Sequence, residues 1–346
     1  MSDQQHVPNS SAVTPTIDVL GVGNALVDVL SSSDDATLDE LGMVKGSMDL
    51  IDEDRMAVVY AAMGQGTELS GGSAANTMAG LASLGINSAF LGRVRDDFLG
   101  AVFEHDLEAI GVGWSGSTAL DGPSTGCCLI LVTPDAERTM NTFLGASSLL
   151  GSGDIDVARV AEADIVYLEG YLFDRDEAKE AYEVASRAAH DAGRRVALTL
   201  SDTFCVIRHR EAFAELVHSH VDILFSNHDE LLALYETDDL DVAIAEVRSH
   251  CPLAVVTLGE AGAVIVTPTE EVRVGATAVE HIVDTTGAGD QFAAGFLAGI
   301  VRGRPLEECG RLGAIAAAEV ISHLGPRPQV VLLDLAPELL APPTPP

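Results

Sequence analysis

The sequence has few basic residues. Its 346 residues include 19 lysines and arginines against 53 aspartates and glutamates, which gives a formal net charge of −34 at pH 7. Nucleic acids and anionic membrane surfaces attract basic patches, so this balance argues against both as partners. If the protein binds a phosphate group, the groups that attract it must therefore be gathered locally at the binding site. The acidic residues are spread along the chain, as is typical of a heavily solvated surface.

The chain also lacks paired cysteines and long apolar runs. No Cys-x-x-Cys spacing occurs among its cysteines, which lie in apolar company at Cys127, Cys128, Cys205, Cys251 and Cys309. This pattern indicates buried thiols in a reducing compartment, and not disulfides or metal ligands. No apolar run approaches the roughly 20 residues of a membrane helix, and residues 1–15 do not resemble a signal peptide. We expect a soluble, cytoplasmic protein.

Short β-rich runs alternate with longer helical patterns along the chain. An apolar content of 47% is enough for one large α/β domain or two ordinary ones. Predicted strands cover residues 17–22, 88–91, 165–168, 196–200, 223–225 and 254–258. Predicted helices cover residues 73–84, 98–110, 176–192, 211–219 and 306–322. This alternation predicts an α/β fold with a mostly parallel central sheet, helices on both faces, and ligands beyond the carboxyl ends of the strands.

Two regions interrupt the alternation, around residues 45–51 and 124–144. Both are extended, and the second contains two candidate strands, 127–133 and 138–143, joined through Thr-Pro-Asp-Ala-Glu. These regions predict hairpin-like structure inserted between the βα units. An ordinary surface hairpin is the alternative.

The most informative stretch is residues 283–299, where a glycine-containing segment precedes an apolar helical pattern. Gly287 and Gly289 flank Ala288, and Asp290 follows at the predicted start of the helix. The free N–H groups and the dipole of a first helical turn attract a phosphate, and glycines let that phosphate approach the backbone. A carboxylate at the same place can take a proton from an attacking hydroxyl. The alternative is a tight turn before a buried helix, with Asp290 only favouring the first turn.

A second glycine-containing segment follows the first predicted strand. Gly21 and Gly23 suggest a dinucleotide-binding fingerprint, but Leu26 stands where its third glycine is needed, so we set that interpretation aside. Asp28 lies just past the carboxyl end of the strand, where an ionised carboxylate can accept hydrogen bonds from two adjacent ribose hydroxyls. A turn or cap residue is the alternative for Asp28.

Glycines also precede the first predicted helix. Gly72 permits close approach to a ligand, and Ser73 can cap the helix. Asn76, one turn in, can offer both a donor and an acceptor to a hydroxyl. An ordinary capped helix is the alternative.

Several of these strings resemble signatures of the PfkB/ribokinase family of carbohydrate and nucleoside kinases. Asp-Thr-Thr-Gly-Ala-Gly-Asp at residues 284–290 resembles the family's C-terminal signature, and Gly-Gly-x-x-x-Asn at residues 71–76 matches a further family motif. Residues 92–100 resemble the first signature, although Arg95 replaces a glycine. The resemblance spans roughly residues 17–327. It is strongest toward bacterial adenosine kinase-like members, as judged by residues 23–28, 137–146 and 321–328.

The resemblance implies a ribokinase-like fold in which a small β-sheet acts as a lid over the acceptor. A lid matters to a kinase because an open site would hydrolyse ATP. We expect one kinase domain over residues 16–335, with lid segments near residues 24–52 and 114–147. A disordered tail is expected at residues 1–15 and a proline-rich tail at residues 336–346. Related kinases are monomers or pair through their lids, so a monomer or a homodimer is expected.

The resemblance also implies which residues contact the acceptor. They lie near the first strand and the first helix and are Asn24, Asp28, Gly72, Ser73 and Asn76. Arg138 corresponds to an arginine of adenosine kinases that can reach the acceptor or the transferring phosphoryl group, because a planar guanidinium suits phosphate oxygens. Ala136 replaces the glycine of that motif, and a solvated surface arginine is the alternative.

At the nucleotide end, Asn227 and Glu230 match the family's Asn-x-x-Glu motif, which is associated with the phosphates and hydrated Mg²⁺. Because Mg²⁺ keeps several waters, such residues can orient it without binding it directly. Asn227 as a simple helix cap is the alternative. The other implied contacts are those of the nucleotide, Thr257, Gly259, Gly287 and Gly289, and those of a monovalent cation such as K⁺, Asp284 and Thr286.

The resemblance implies ATP-dependent phosphorylation of a primary ribose hydroxyl, with the 5′-hydroxyl of adenosine as the expected acceptor. Asp290 would take the hydroxyl proton, and the N–H groups of Gly287, Ala288 and Gly289 would stabilise charge on the transferring group. A free sugar such as ribose or fructose is the alternative acceptor, and a non-catalytic nucleoside-binding protein is the alternative from another class. The base pocket carries no short motif: its candidate walls, equally plausible as core, are Leu26, Phe143 and Phe173.

Overall fold

The computed structural model describes residues 15–135 and 137–340. Most of the two predicted tails, residues 1–14 and 341–346, therefore lies outside the described residues. The strands, numbered along the chain, are β1 Ile17–Val22, β2 Leu26–Ser32, β3 Met48–Leu50, β4 Gly66–Gly71, β5 Ser88–Leu91, β6 Arg93–Arg95, β7 Gly113–Trp114, β8 Ser117–Ala119, β9 Gly126–Val132, β10 Arg138–Phe143, β11 Ala163–Glu169, β12 Arg195–Thr199, β13 Ile223–Asn227, β14 Leu253–Thr257, β15 Ala263–Val266 and β16 Glu271–Val274. The helices are α1 Asp35–Glu40, α2 Glu53–Ala62, α3 Ser73–Ser83, α4 Phe98–Ala109, α5 Val157–Ala161, α6 Asp176–Asp191, α7 Thr203–Arg208, α8 Arg210–His220, α9 His228–Tyr235, α10 Leu240–His250, α11 Ala288–Val301, α12 Leu306–Val320 and α13 Pro337–Leu340.

The described residues form a large sheet of nine strands in the order β16-β15-β14-β13-β12-β11-β1-β5-β7. Its strands pair in parallel from β14 to β7, whereas β15 and β16 join one edge in antiparallel fashion. In β11, Ile165 and Tyr167 belong to the core formed with α3, α11 and α12. Val166 and Leu168, pointing the other way, join the core formed with α6, α8, α9 and α10. Helices cover both faces, so the predicted α/β architecture is confirmed.

The predicted elements of this layer are found with small shifts at their ends. The strands predicted for the central sheet all belong to the large sheet, and β1 and β5 have the predicted bounds. The predicted helices correspond to α3, α4, α6, α8 and α12, each within two residues at either end. Among the described residues, no helix has the length and apolar content needed to cross a membrane.

A separate five-stranded sheet has the order β3-β10-β9-β2-β4. β9 and β10 form an antiparallel hairpin in which Cys127 faces Phe143 and Val132 faces Arg138. The regions predicted to be extended supply β3, β9 and β10. β4 lies outside both predicted lid segments, because its sequence Gly-Thr-Glu-Leu-Ser-Gly lacks the apolar alternation that predicts a strand.

The chain remains packed beyond residue 335, where we expected the folded domain to end. Ala336, Leu339 and Leu340 are buried in the core shared with α3 and α11. The predicted start of the C-terminal tail at residue 336 is therefore wrong, because the apolar side chains just before the proline-rich end have a place in the core.

The cysteines are all buried and free of disulfides, as predicted. Burial raises the thiol pKa of Cys127 and Cys128 to about 12. These thiols are therefore protonated at neutral pH, and a protonated thiol is a poor nucleophile.

Candidate active site

A cavity of about 740 Å³ lies between the carboxyl ends of the central strands and one face of the small sheet. Glu169 and Asn227 line it from the ends of central strands, and Asp28 and Arg138 line it from the small sheet. The first turn of α11, around Asp290, also lines it. The cavity has the size of a small-molecule site and lies where a parallel sheet is expected to bind its ligand.

Helix α11 begins beside this cavity. Its N-cap, Gly287, has a φ of 80°, and a Cβ there would lie 2.6 Å from the backbone of Pro326, so only glycine fits. A Cβ at Gly289 would meet no atom within 4 Å, because the backbone is open at this point. No described residue accepts a hydrogen bond from the N–H of Gly289 or Asp290. Free donors at a helix N-terminus are the geometry of an anion site.

Asp290 lies in the first turn of α11 and is partly exposed. Its carboxylate accepts hydrogen bonds from Ser73 Oγ at 2.6 Å and from Asn76 Nδ2 at 3.4 Å. Burial raises the pKa of Asp290 to about 7; the hydrogen bond from Ser73 opposes this rise, and the charge of Glu169 adds to it. A carboxylate with a pKa near neutrality can accept a proton from a hydroxyl in the cavity.

Asp28 follows the end of β1 and lies within the small sheet, because a new strand, β2, starts at Leu26. The side chain lines the cavity and is 8% exposed. A Cβ at Gly71, on the neighbouring strand, would lie 2.4 Å from its Cγ, so a glycine makes the room. Burial raises the pKa of Asp28 to about 6, while the charges of Arg327 and Arg138 lower it, and no described residue donates a hydrogen bond to it. Its oxygens are therefore available to a ligand.

The start of α3 differs from the prediction at its cap. The N-cap is Gly72, with a φ of 95°, and Ser73 is the first helical residue. A Cβ at Gly72 would lie 2.4 Å from the carbonyl oxygen of Asn24, so this position requires glycine. Ser73 does not cap the helix, and its hydroxyl donates to Asp290 instead.

Glu169, at the end of β11, is a cavity residue that the sequence analysis did not identify. It is 1% exposed, and its carboxylate accepts hydrogen bonds from the N–H of Ala74 at 2.8 Å and from Asn24 Nδ2 at 2.8 Å. Asn24 Oδ1 accepts from the Ser147 hydroxyl at 2.9 Å. Asn24 was predicted to contact the phosphate acceptor, but both ends of its side-chain amide are hydrogen-bonded to other protein groups. Burial raises the pKa of Glu169. A polar residue directly after an apolar strand was the signal that could have identified it.

Asn227 and Glu230 form a reciprocal cap at the start of α9. Glu230 accepts from the Asn227 N–H at 2.9 Å and from Asn227 Nδ2 at 2.8 Å, and Asn227 Oδ1 accepts from the Glu230 N–H at 2.8 Å. Burial raises the pKa of Glu230 to about 7. Among the described residues, no group of three or more His, Cys, Asp or Glu side chains could hold a metal ion. Asn227 and Glu230 both line the cavity, where their oxygens are of the kind that contacts a hydrated Mg²⁺ ion through its waters.

Of Thr257 and Gly259, which were also predicted to contact the nucleotide, only Thr257 lines the cavity. Thr257, at the end of β14, lines the cavity and its hydroxyl reaches the Ser226 carbonyl at 3.5 Å. Gly259 starts a short helical turn with a φ of 59° and does not line the cavity. Thr257 thus remains a candidate for the nucleotide, whereas Gly259 serves the turn that follows it.

Arg138 and Asp284 form a buried ion pair between the small sheet and the loop before α11. Their side chains are 10% and 9% exposed, and Asp284 also accepts from the N–H groups of Gly325 and Thr286. Burial raises the pKa of Asp284, but these hydrogen bonds and the Arg138 charge hold it below its ordinary value. Arg138 is therefore not the solvated surface residue of the alternative. A guanidinium on this carboxylate does not fit the monovalent cation expected at Asp284 and Thr286, because both charges would compete for one group.

One face of the small sheet presents an apolar wall to the cavity. Alternate residues of a strand point to the same face, and the apolar ones here are Leu26, Met48, Leu50, Ile130 and Met140. Of the predicted wall residues, Leu26 is thus found in the cavity. Phe143 lines a smaller neighbouring cavity. Phe173 is core, because its ring stacks on that of Phe213 at 4.1 Å.

The model of the pfkB family of carbohydrate kinases matches residues 42–331 of the chain. The fold is similar to that of the adenosine kinase of Sinorhizobium meliloti, with a TM-score of 0.85 and 50% identity over 93% of this chain and 99% of that one. It is also similar to a probable sugar kinase of Rhizobium etli, with a TM-score of 0.85 and 46% identity over 94% of this chain and 99% of that one. The ATP-dependent ribose-1-phosphate kinase of Halopiger xanaduensis is 33% identical over 77% of this chain and 86% of its own. The chain is a kinase and belongs to the PfkB family of carbohydrate kinases.

Proposed function

We propose that the protein transfers the γ-phosphoryl group of ATP to the 5′-hydroxyl of adenosine, giving AMP and ADP. The observation that carries this proposal is the 50% identity, over 93% of the chain, to a protein described as an adenosine kinase. The apolar wall beside Asp28 supports it, because a nucleobase offers the apolar faces that a free sugar lacks. Since the chain is a kinase, the alternative of a non-catalytic nucleoside-binding protein is dropped.

The acceptor end is proposed to lie at Asp28, Gly72, Ser73 and Asn76. Asp28 accepts hydrogen bonds from the ribose hydroxyls, and Asn76 donates one. Gly72 lines the cavity and has no side chain to separate its backbone from the ligand. Leu26 and Met140, on the same face of the small sheet as Asp28, cover the base. This arrangement directs the 5′-hydroxyl toward Asp290.

The phosphate end is proposed to lie at the N-terminus of α11 and at the start of α9. The N–H groups of Gly287 and Gly289 face the transferring phosphoryl group, whereas that of Ala288 donates to the Thr285 carbonyl at 3.2 Å. Asn227 and Glu230 would hold hydrated Mg²⁺ through water. Mg²⁺, when bound, neutralises charge on the ATP phosphates. The small sheet acts as a lid that keeps water from the reaction.

In the reaction, the 5′-oxygen forms a bond to the γ-phosphorus while the bond from that phosphorus to the β,γ-bridging oxygen breaks. Asp290 takes the hydroxyl proton, and ADP leaves with the electron pair of the broken bond. Arg138 lines the cavity and pairs with Asp284 in the loop before α11, and its Nε, which has no partner among the described residues, is a donor left for the transferring group.

A panel of acceptors tests the proposal against a free-sugar kinase, the second candidate, which the named activity of the Halopiger relative favours. We expect kcat/KM for adenosine to exceed that for ribose and fructose by about 10²-fold or more, because a free sugar leaves the apolar wall uncovered. ADP release is measured with adenosine, inosine, cytidine, ribose, ribose 1-phosphate and fructose, against a blank without acceptor. A sugar that reacts faster than every nucleoside would overturn the proposal.

Glu230→Gln tests the magnesium end. The substitution keeps the shape but removes the charge and places an amide donor against the donors of Asn227, so we expect the Mg²⁺ concentration for half-maximal rate to rise by about tenfold or more. Asp229→Asn is the control, because it removes the same charge one residue away on an exposed side chain. Equal magnesium titration curves in the two variants would contradict a role for Glu230.

A further inference from the structure

Arg327 joins the acceptor end of the cavity to two helices. It lies between α12 and the turn Leu332–Asp334, and its side chain is 14% exposed. Its Nε donates to Asn76 Oδ1 at 3.1 Å, and its Nη1 donates to Asp106 Oδ2 at 3.1 Å. Asp106 also accepts from the N–H and the hydroxyl of Ser70, at 2.8 and 2.6 Å. The guanidinium is thus fixed between α3 and α4.

This contact decides which way the Asn76 amide faces. A guanidinium only donates hydrogen bonds, so the atom that meets Arg327 must be the amide oxygen. The Asn76 NH₂ group is then turned to Asp290, at 3.4 Å. Without Arg327, the amide could turn over and set its oxygen against the Asp290 carboxylate, which repels it. The donor that the acceptor needs would be lost in that orientation.

Arg327 also acts on Asp28 through its charge. The charged and titratable groups around Asp28 are Arg327, Arg138, Asp290 and the Cys127 and Cys128 thiols. Of the two arginines, Arg327 has the larger effect in lowering the Asp28 pKa against the rise caused by burial. Arg327 Nη2 is buried and has no hydrogen-bond partner among the described residues. The guanidinium therefore keeps one donor group without a partner.

We propose that Arg327 is a positioning residue for the acceptor: its hydrogen bond to Asn76 Oδ1 orients that amide, and its positive charge lies near Asp28. The inference rests on the proposed function in one respect, that Asp28 and Asn76 hold the acceptor hydroxyls. The alternative is a structural arginine that only ties the segment after α12 to α3 and α4. Substitution of such a residue would lower the stability of the fold and would weaken the binding of the acceptor and of ATP alike.

Two substitutions separate the two effects of Arg327. Arg327→Lys keeps the positive charge but loses the planar set of donors, whereas Arg327→Gln keeps an amide donor and loses the charge. Arg311→Gln is the matched control, because Arg311 is exposed on α12. Calorimetric Kd values for the acceptor and for ATP are measured from pH 5 to 8 in the Asp290→Asn background. In that background the carboxylates left at the acceptor end are Asp28 and Glu169, and of the two only Asp28 is affected by the charge of Arg327.

Loss of the Arg327 charge raises the affinity of Asp28 for its proton. As the pH is lowered, the Gln variant should therefore lose acceptor binding at a higher pH than the control does. We expect its midpoint to move up by about one pH unit, with ATP affinity within twofold of the control. The Lys variant should keep the original midpoint while acceptor Kd rises about tenfold at pH 8, since the Asn76 amide is no longer held. The proposal would be overturned if the pH midpoint of acceptor binding were unchanged in both variants. It would also be overturned if the variants lost affinity for the acceptor and for ATP to the same extent.

The acceptor in these titrations is adenosine or, if the wild-type enzyme prefers another compound of the panel, that compound. Weak adenosine binding by the wild type counts against the proposed function and leaves the Arg327 test in place. Good binding that does not respond to Arg327 counts against Arg327 alone. Melting temperatures of all variants show which of them are folded, and either folded variant is sufficient to contradict the proposal.

Discussion

Asp290→Asn is expected to lower kcat by about 10²–10⁴-fold while ATP and acceptor binding survive. The amide keeps the size of the carboxylate and can still accept the Ser73 hydrogen bond, but it cannot take the hydroxyl proton. Affinity for ATP should stay equal or rise, because the substitution removes a negative charge that faces a polyphosphate. The measurement is kcat beside calorimetric Kd values for ATP and adenosine in the same variant.

The pH profile gives this prediction a second readout. A general base must be ionised to act, so with an Asp290 pKa of about 7 the wild-type kcat/KM should rise with pH through neutrality and then level off. The Asn variant should lack that rise in its residual activity. Near-normal turnover, or an unchanged acidic limb, would remove Asp290 from the mechanism.

Two controls distinguish chemistry from stability. Glu307→Gln removes a carboxylate from the first turn of α12, where its loss costs only a helix-dipole contact and should leave kcat unchanged. Folding raises the Asp290 pKa from 3.8 to about 7, so ionisation destabilises the folded protein increasingly as pH rises through this range. The Asn variant at pH 8 should therefore melt at the wild-type temperature or above. A lower melting temperature with proportional loss of binding would indicate a structural residue.

The central layer could be predicted from the sequence because its signals are local. Apolar runs such as residues 17–22 and helical periodicity such as residues 98–110 depend only on neighbours along the chain, and β1 and α4 follow them closely. The glycine-led start of α11 is local in the same sense. Here φ at Gly287 is positive and the space beside it is filled by backbone, which is the condition that selects glycine.

What the sequence could not supply are contacts between distant segments. The environment of Asp28 depends on Gly71 and Arg327, and nothing near residue 28 indicates either. The sequence predicts that Arg138 reaches the acceptor or the transferring phosphoryl group, and it gives no sign of the ion pair with Asp284, which is 146 positions away. The cap of α3 was misassigned for the same reason. The choice between Gly72 and Ser73 is made by the Asn24 carbonyl, which leaves no space for a side chain.

Several of these contacts between distant segments involve residues at the acceptor end of the cavity. Asn76 is held by Arg327, and Ser73 and Asn76 both donate to Asp290. Asp28, in contrast, receives no hydrogen bond from the described residues. A buried carboxylate in that condition destabilises an empty protein and is satisfied only when a ligand brings donors. This difference makes Asp28 the residue at which acceptor binding can be removed with the least damage to the fold.

Asp28→Ala is therefore expected to raise KM for the acceptor by about 10²-fold and KM for ATP by less than twofold. Two hydrogen bonds from ribose hydroxyls to a charged oxygen are lost, each contributing about 1.5–3 kcal/mol, and the measured loss is smaller than their sum because water enters the space. Asp49→Ala is the control, since Asp49 lies between Met48 and Leu50 on β3 and so points to the opposite face of the same small sheet. Steady-state kinetics with each substrate varied in turn distinguish the two ends of the cavity. A defect confined to ATP would show that Asp28 serves the nucleotide, and the acceptor would then have to be placed elsewhere in the cavity.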